Sequence, residues 1–190
     1  MRFIHFVLAA SVVGSALACT STGSSEEAPQ AHGPPCEATA EGQGVKITIR
    51  SASCDYDQGA SATFDYEITT TDALPPIVVV GSPSCGSCRD FSTAIAPWAR
   101  WRIGGVSAAG LSQQYCLCDT GCCKPDESAT YDVEAGSFRE TIEWSGAKWN
   151  GPSDTGEEEG GVFAPGRYDV TVEFATVATA KLSIVIREKR

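Results

Sequence analysis

Histidine is almost absent from this chain, and its scarcity excludes several kinds of catalytic and metal site. The 190 residues contain two histidines, His5 in an N-terminal apolar segment and His32 in a polar stretch before the first predicted strand. The folded domain is therefore expected to hold no Ser-His-Asp or Cys-His catalytic set and no histidine-ligated metal. The chain also contains no P-loop and no GxGxxG dinucleotide motif. We predict a protein that is not an enzyme and has no cofactor.

Basic residues are also few. Fourteen Lys and Arg face 24 Asp and Glu, which gives a formal charge of −10. Removing residues 1–18 would take away Arg2 and no acid, leaving 13 basic residues against 24 acidic and a charge of −11. This balance argues against a nucleic-acid partner and against general electrostatic binding to anionic lipid headgroups. It fits a soluble domain that faces outward.

Long apolar runs are missing except at the N-terminus. Arg2 precedes an apolar segment from Phe3 to Leu17, which is short for a bilayer span and ends in small residues. This arrangement is typical of an export signal, and we assign residues 1–18 to it. Cleavage after Ala18 would make Cys19 the first residue.

The residues at this cleavage point, Ala16-Leu17-Ala18-Cys19, resemble the lipobox of bacterial lipoproteins. Ala16 stands where that motif prefers Leu, and Leu17 where it prefers a smaller residue. The resemblance implies acylation of Cys19, for example by palmitate, and anchoring to a bacterial membrane facing the periplasm or exterior. In two-membrane bacteria, Thr20 in place of Asp would favour the outer membrane. The alternative is ordinary signal-peptidase cleavage, which leaves Cys19 as a free thiol.

The cysteine count supports the lipid anchor. The chain has nine cysteines, an odd number for an exported protein. Assigning Cys19 to the lipid leaves eight, which can all form disulfides. After Cys19, the residues up to 43 are rich in Ser, Thr, Gly, Glu, Ala and Pro, so we predict a lipidated cysteine and tether over 19–43.

From residue 44 to 190 the pattern is that of a β-protein. Apolar residues alternate with polar ones over 45–50, 62–69, 138–144, 168–174 and 180–186, and Ile77–Val80 is a short apolar run typical of a strand buried on both faces. The last two segments are close enough to form a hairpin. One wet face on most strands indicates antiparallel sheets, and two stacked sheets make a β-sandwich.

The C-terminal part resembles Ig-like extracytoplasmic domains over residues 130–190. The resemblance rests on a Pro165-Gly166 turn that leads to Tyr168, and on Trp144 at the end of an earlier strand. It implies an all-β, Ig-like antiparallel sandwich and says little about function. The cadence is also similar to bacterial proteinase-inhibitor-type Ig-like domains, which makes protease inhibition an alternative function.

Between about 81 and 128 the strand pattern fails, and we predict a disulfide-rich insert with a short helix over 89–96. Six of the cysteines lie here, in CGSC at 85–88 and CLCDTGCC at 116–123. The second group is not a C-x-x-C, and exported thiols tend to oxidise, so no metal is expected. We predict disulfides whose pairing stays open, with Cys36 and Cys54 pinning the tether to the sheet; the cysteines concerned are Cys36, Cys54, Cys85, Cys88, Cys116, Cys118, Cys122 and Cys123.

A redox function is the main alternative for CGSC. Residues 77–98 resemble the thioredoxin active site in their order of strand, loop, C-x-x-C, helix and proline. The resemblance implies Cys85 as nucleophile and Cys88 as resolving thiol in a thiol-disulfide oxidoreductase. Ser84 replaces the aromatic residue usual before the first cysteine, and the chain has no βαβ alternation.

The remaining candidate is a ligand surface. Trp98, Arg100 and Trp101, with Arg102 and Trp149, are aromatic and basic residues that suit a protein or glycan partner. Acidic residues at 154 and 157–159 match no calcium loop and indicate a solvated hairpin tip. The sequence therefore predicts a membrane-anchored extracytoplasmic protein with a binding, adhesion or structural role.

Overall fold

The chain folds as an all-β protein, as predicted. The computed structural model describes residues 30–80, 99–115, 128–149, 160–174 and 177–189, and these ranges contain twelve strands and no helix. Two larger sheets carry ten of the strands, and a two-stranded sheet carries the other two. One cluster of buried residues joins both larger sheets, which makes the fold a sandwich.

The six-stranded sheet has the spatial order β1-β4-β12-β11-β7-β8. All its pairings are antiparallel except that of β4 with β12, which is parallel. The predicted hairpin of the last two segments is confirmed by the pairing of β11 with β12. The strands are β1 (Ala31–His32), β4 (Asp55–Asp57), β7 (Ala99–Ser107), β8 (Ser112–Tyr115), β11 (Gly166–Phe174) and β12 (Ala178–Arg187).

The four-stranded sheet has the order β10-β5-β3-β2 and is antiparallel throughout. Its strands are β2 (Cys36–Gly42), β3 (Val45–Ser51), β5 (Ala62–Thr70) and β10 (Gly136–Trp144). The two-stranded sheet pairs β6 (Leu74–Val80) with β9 (Ser128–Val133).

Alternation in the sequence fixes which face each strand buries. On β5, Phe64, Tyr66 and Ile68 are at most 2% exposed, whereas Thr63 before them and Asp65 between the first two face solvent. On β11, Tyr168 and Val170 are buried in the same way against the other sheet. Burial of these side chains is the main favourable term that holds the two sheets together.

The strand arrangement is Ig-like. One sheet brings together β7, β11 and β12, the other β3, β5 and β10, and β4 runs parallel beside β12. The Tyr168 hydroxyl donates to the carbonyl of Ala164, four residues upstream, at 2.7 Å. This bond resembles the tyrosine corner of Ig sandwiches. In those domains a cysteine follows two residues later, and Val170 occupies that place here.

The tyrosine corner yields a testable stability effect. Tyr168 is 1% exposed, its burial raises the pKa of the phenol, and its hydroxyl also lies 2.9 Å from Gln113 Oε1. Tyr168→Phe removes the donor and leaves the Ala164 carbonyl without this partner. We expect a loss of about 1–2 kcal/mol in the free energy of unfolding, measured by urea denaturation.

Ser183→Ala is the matched control, because it deletes an exposed hydroxyl that donates to Asp169. It is expected to change stability by less than about 0.5 kcal/mol. Equal losses of unfolding free energy in the two variants would show that the Tyr168–Ala164 bond contributes no more than an exposed hydrogen bond.

The structure corrects two boundaries drawn from the sequence. Residues 36–42, assigned to the tether, form β2 on the edge of the four-stranded sheet. His32, assigned to the same tether, lies in β1, and its Nε2 is 2.9 Å from Asp57 Oδ1. The described domain therefore does contain a histidine. β1 is ordered by its pairing with β4, and no local sequence pattern predicts that pairing.

The predicted insert over 81–128 is also too long. Residues 99–107 and 112–115 are β7 and β8, integral strands of the six-stranded sheet. Ile77–Val80 forms a strand as predicted, but it is not buried on both faces, because Val78 is 60% exposed. β6 pairs with β9 in the small sheet and with no other described strand.

Candidate functional site

Most of the sequence-predicted cysteine sites lie outside the described residues. These are Cys19, Cys85, Cys88, Cys116, Cys118, Cys122 and Cys123; Trp98, the predicted helix and the acidic loop at 154 and 157–159 also lie outside. The Cys36–Cys54 disulfide is present, with Cα atoms 5.9 Å apart. It ties the start of β2 to the segment before β4, as the sequence predicted for the tether.

The predicted ligand surface is divided by strand geometry. Arg100 and Trp101 are consecutive residues of β7, so their side chains point to opposite faces. Arg100 is on the solvent face, and Trp101 is 9% exposed and belongs to the core. The structure therefore does not bring these two side chains together.

Trp101 instead anchors an aromatic cluster inside the sandwich. Its ring stacks on Tyr115 with centroids 6.0 Å apart, and Tyr115 contacts Trp149 at 6.2 Å. The backbone N–H of Trp149 donates to the Gln114 carbonyl, which fixes Trp149 at the end of β8. This cluster closes the sandwich beside β8 and offers no exposed aromatic platform.

The solvent face of the six-stranded sheet carries charge around β7. Arg102 lies beside Glu173 of β11, with Nη2 3.2 Å from Oε1. Thr171 and Glu173 are the register partners of Arg102 and Arg100. The basic residues of the predicted surface thus belong to a mixed polar face.

The solvent face of the four-stranded sheet carries a connected charge network. Glu67 accepts hydrogen bonds from the Ser137 hydroxyl at 2.6 Å and from Arg139, and Arg50 pairs with Glu37 at 2.6 Å. The hydrogen bond from Ser137, followed by that from Arg139, lowers the pKa of Glu67. The ionised Glu67 therefore adds to the free energy of unfolding at pH values above the pKa of a glutamate in the unfolded chain. This contribution is lost as the pH falls through the lower pKa that Glu67 has in the folded protein.

One end of the sandwich, here named the entry pole, gathers the first described residue and several loops. The Asp57 N–H donates to the Gln30 carbonyl, the Gln58 N–H to Arg187, and the Ala108 N–H to Pro165, each at 2.7–2.8 Å. These hydrogen bonds lie at one end of the neighbouring strands β1, β4, β12, β11 and β7. We define the entry pole by Gln30, Asp57, Arg187, Pro165 and Ala108.

The entry pole bears an uncharged hairpin tip that sequence reasoning missed. Residues 103–115 contain no charged side chain, and the turn between β7 and β8 exposes Ala108 and Ala109. Leu111 is 62% exposed and Val106 54%. Val162, three residues before Pro165, is 44% exposed. The absence of charge over 103–115 was the only signal in the sequence.

Hydrogen bonds hold this tip in one shape. The Gly110 N–H donates to the Ser107 carbonyl at 2.9 Å, and the Ser107 N–H donates to the Leu111 carbonyl at 2.9 Å. The Leu111 N–H also donates to the Ser107 hydroxyl at 3.1 Å. Gly110 has φ +81°, which an L side chain rarely adopts, so the turn depends on this glycine. These bonds and this glycine give the tip a defined conformation.

Within the described ranges, no helix is long and apolar enough to cross a bilayer. Among the same residues, no group of three or more His, Cys, Asp or Glu side chains is arranged to hold a metal ion.

Comparisons with protein families, curated proteins and solved structures find no match to this chain.

Proposed function

We propose that this chain is a lipid-anchored, extracytoplasmic protein of the bacterial cell envelope, with the outer membrane favoured. Its sandwich would have a binding, adhesion or structural role toward a protein or glycan partner, and no catalytic one. The observation that carries the proposal is the Ala16–Cys19 sequence, which resembles a lipobox and is followed by ten residues before the first described residue, Gln30. A lipid at Cys19 would hold such a domain close to a membrane.

The fold supports a binding role by analogy. Ig-like sandwiches present solvated sheet faces and loops on a rigid core, and many of them serve recognition. Here the core is made of apolar and aromatic side chains, and the charged residues described above lie on the two solvent faces. A rigid scaffold with polar faces suits recognition of a partner.

Cys19→Ser tests the anchor. We expect the native protein to fractionate with membranes and to carry a lipid-sized mass gain on Cys19, and the variant to appear in the soluble fraction. Thr20→Ser is the matched control and is expected to stay in the membrane. A mature native protein that begins at Cys19 without added mass would refute the anchor and support ordinary signal-peptidase cleavage.

The competing function is thiol-disulfide exchange at Cys85 and Cys88. The Cys36–Cys54 bridge leaves six other cysteines after Cys19, which allow 15 full pairings. We expect no alkylatable thiol in the native protein and no reduction of insulin. Catalytic insulin reduction that is lost in Cys85→Ser would overturn the non-catalytic proposal.

A further inference from the structure

The entry pole is where the chain from Cys19 reaches the domain. The first described residue, Gln30, bonds to Asp57 at this pole, and β1 runs away from it, antiparallel to β4. The last described residues, at 187–189, follow β12 to the same pole. A membrane anchor at Cys19 would therefore be attached to this end of the sandwich.

We propose that the uncharged hairpin tip at the entry pole, residues 106–111, rests in the surface of the bilayer that holds the lipid of Cys19. This inference rests on the proposed function, since it needs the lipid anchor. It adds a second membrane contact, formed by the folded domain itself, and it fixes which end of the sandwich faces the membrane.

The length of the connecting chain is consistent with this contact. Eleven peptide steps separate Cys19 from Gln30, which span at most about 40 Å when extended and roughly 17–20 Å as a flexible coil. Gln30 and Ala108 lie at the same end of strands β1 and β7, with β4, β12 and β11 between them. Four strand spacings put them about 19 Å apart. The tether therefore keeps the tip within reach of the anchoring bilayer.

The chemistry of the tip suits the interfacial region. Val106, Ala108, Ala109 and Leu111 are all exposed, and residues 106–111 contain no charged side chain. Arg167 is the register partner of Val106 and is exposed beside it, so its guanidinium can reach headgroup phosphates while the tip enters the acyl boundary. A few small apolar side chains bind a bilayer weakly, so the contact depends on the high local concentration that the tether provides.

The opposite pole lacks this character. There the β2–β3 turn is bonded to the segment after β5 through the Thr71 N–H and the Gly44 carbonyl. Glu41, Asp72 and Glu134 are exposed around it, and Lys46 pairs with Glu41, so carboxylates outnumber the basic groups there. Anionic side chains at this end are unfavourable against a bilayer with anionic lipids, so the charge distribution favours the same orientation.

The test uses the full lipidated chain in vesicles of phosphatidylethanolamine and phosphatidylglycerol that contain an alkyne-tagged phospholipid. A photoreactive benzophenone amino acid replaces Leu111 in one sample and Ala73, exposed at the opposite pole, in the matched control. We expect lipid adducts at position 111 at least about tenfold above those at position 73. Ala109→Asp, which a turn tolerates, is expected to lower the adducts at 111 by on the order of tenfold, because a charge enters the interface poorly.

Intact mass read on the same samples separates the two proposals. A lipidated chain with equal adducts at 111 and 73 would overturn the orientation and leave the anchor standing. Adducts of position 111 with a protein in native membranes, and none with lipid, would also overturn it. A chain without lipid on Cys19 would refute the proposed anchor, and the inferred bilayer contact with it.

Discussion

Trp144→Ala is expected to lower the free energy of unfolding by about 3–5 kcal/mol, the largest effect of any single substitution considered for this domain. Trp144 is 2% exposed and lies at the end of β10. Its ring contacts Phe163 with centroids 5.0 Å apart and Phe64 at 6.4 Å. Alanine would leave a cavity where several rings of the core meet, and the surrounding strands can fill it only in part.

The indole also has a polar role. Its Nε1 donates to the Ala147 carbonyl at 2.9 Å, and so ties the chain after β10 back onto the core. The next bond along that segment runs from the Phe163 N–H to the Gly146 carbonyl. Trp144→Phe should keep part of the packing while losing the hydrogen bond, and we expect it to lie between the wild type and Trp144→Ala.

Urea denaturation followed by far-UV circular dichroism measures these losses without depending on tryptophan emission. Glu143→Ala is the matched control, because its side chain lies on the solvent face of the same strand. Its effect is expected to stay within about 0.5 kcal/mol. A loss below about 1 kcal/mol in Trp144→Ala would contradict the assignment of Trp144 to the centre of the core.

Removal of the Cys36–Cys54 disulfide has the second largest expected effect. The two cysteines are 18 residues apart. Opening a loop of this size raises the conformational entropy of the unfolded chain, which lowers the free energy of unfolding by about 3 kcal/mol. The variant Cys36→Ala with Cys54→Ala removes both thiols together, so no new unpaired cysteine is created. We expect a lower urea midpoint and a steeper slope, because the unfolded chain without the bridge is less compact and exposes more surface.

Besides this global loss, removal of the bridge should have a local effect on β2. This strand is an edge strand, and its inward residues Ala38 and Ala40 are small and only half-buried. Amide hydrogen exchange should therefore speed up over β2 more than over β5, which lies in the interior of the same sheet. Uniform acceleration across both strands, or unchanged stability, would contradict a local pinning role for the bridge.

The sequence predicted the strands whose alternation is strong and whose apolar residues are large. On β3, β5, β11 and β12, isoleucine, valine, phenylalanine and tyrosine mark the buried face, and these strands formed as expected. Tyr168 and Trp144 were also informative, because both aromatic residues are buried in the core, at 1% and 2% exposure.

The strands that were missed have weak local signals. Gly104 and Gly105 interrupt the pattern of β7, although a Cβ at Gly105 would come within 2.6 Å of the Arg167 carbonyl, so the sheet needs this glycine. β2 packs partly buried alanines next to β12, and alanine gives a poor strand signal. Pairing across the sandwich orders both strands, and single-sequence periodicity does not report such pairing.

The site was less predictable than the fold for a related reason. Arg100 and Trp101 are neighbours in sequence, but on a strand that places them on opposite faces. The entry pole joins the ends of β4 and β12 with the residues just before β1, just after β7 and just before β11, which are far apart in the chain. Only the sheet order reveals that the exposed Leu111 and the incoming chain share one end.

The disulfide also determines how the domain would respond to mechanical load. A pull applied to the chain at Gln30 would first peel away β1, which has two residues paired with β4. Peeling can release residues 30–35 and then stops at Cys36, whose covalent link passes the force to Cys54. The chain would lengthen by about 20 Å before the sandwich itself carried the load. A domain attached in this way has a short segment that can extend under load, and the disulfide limits that extension.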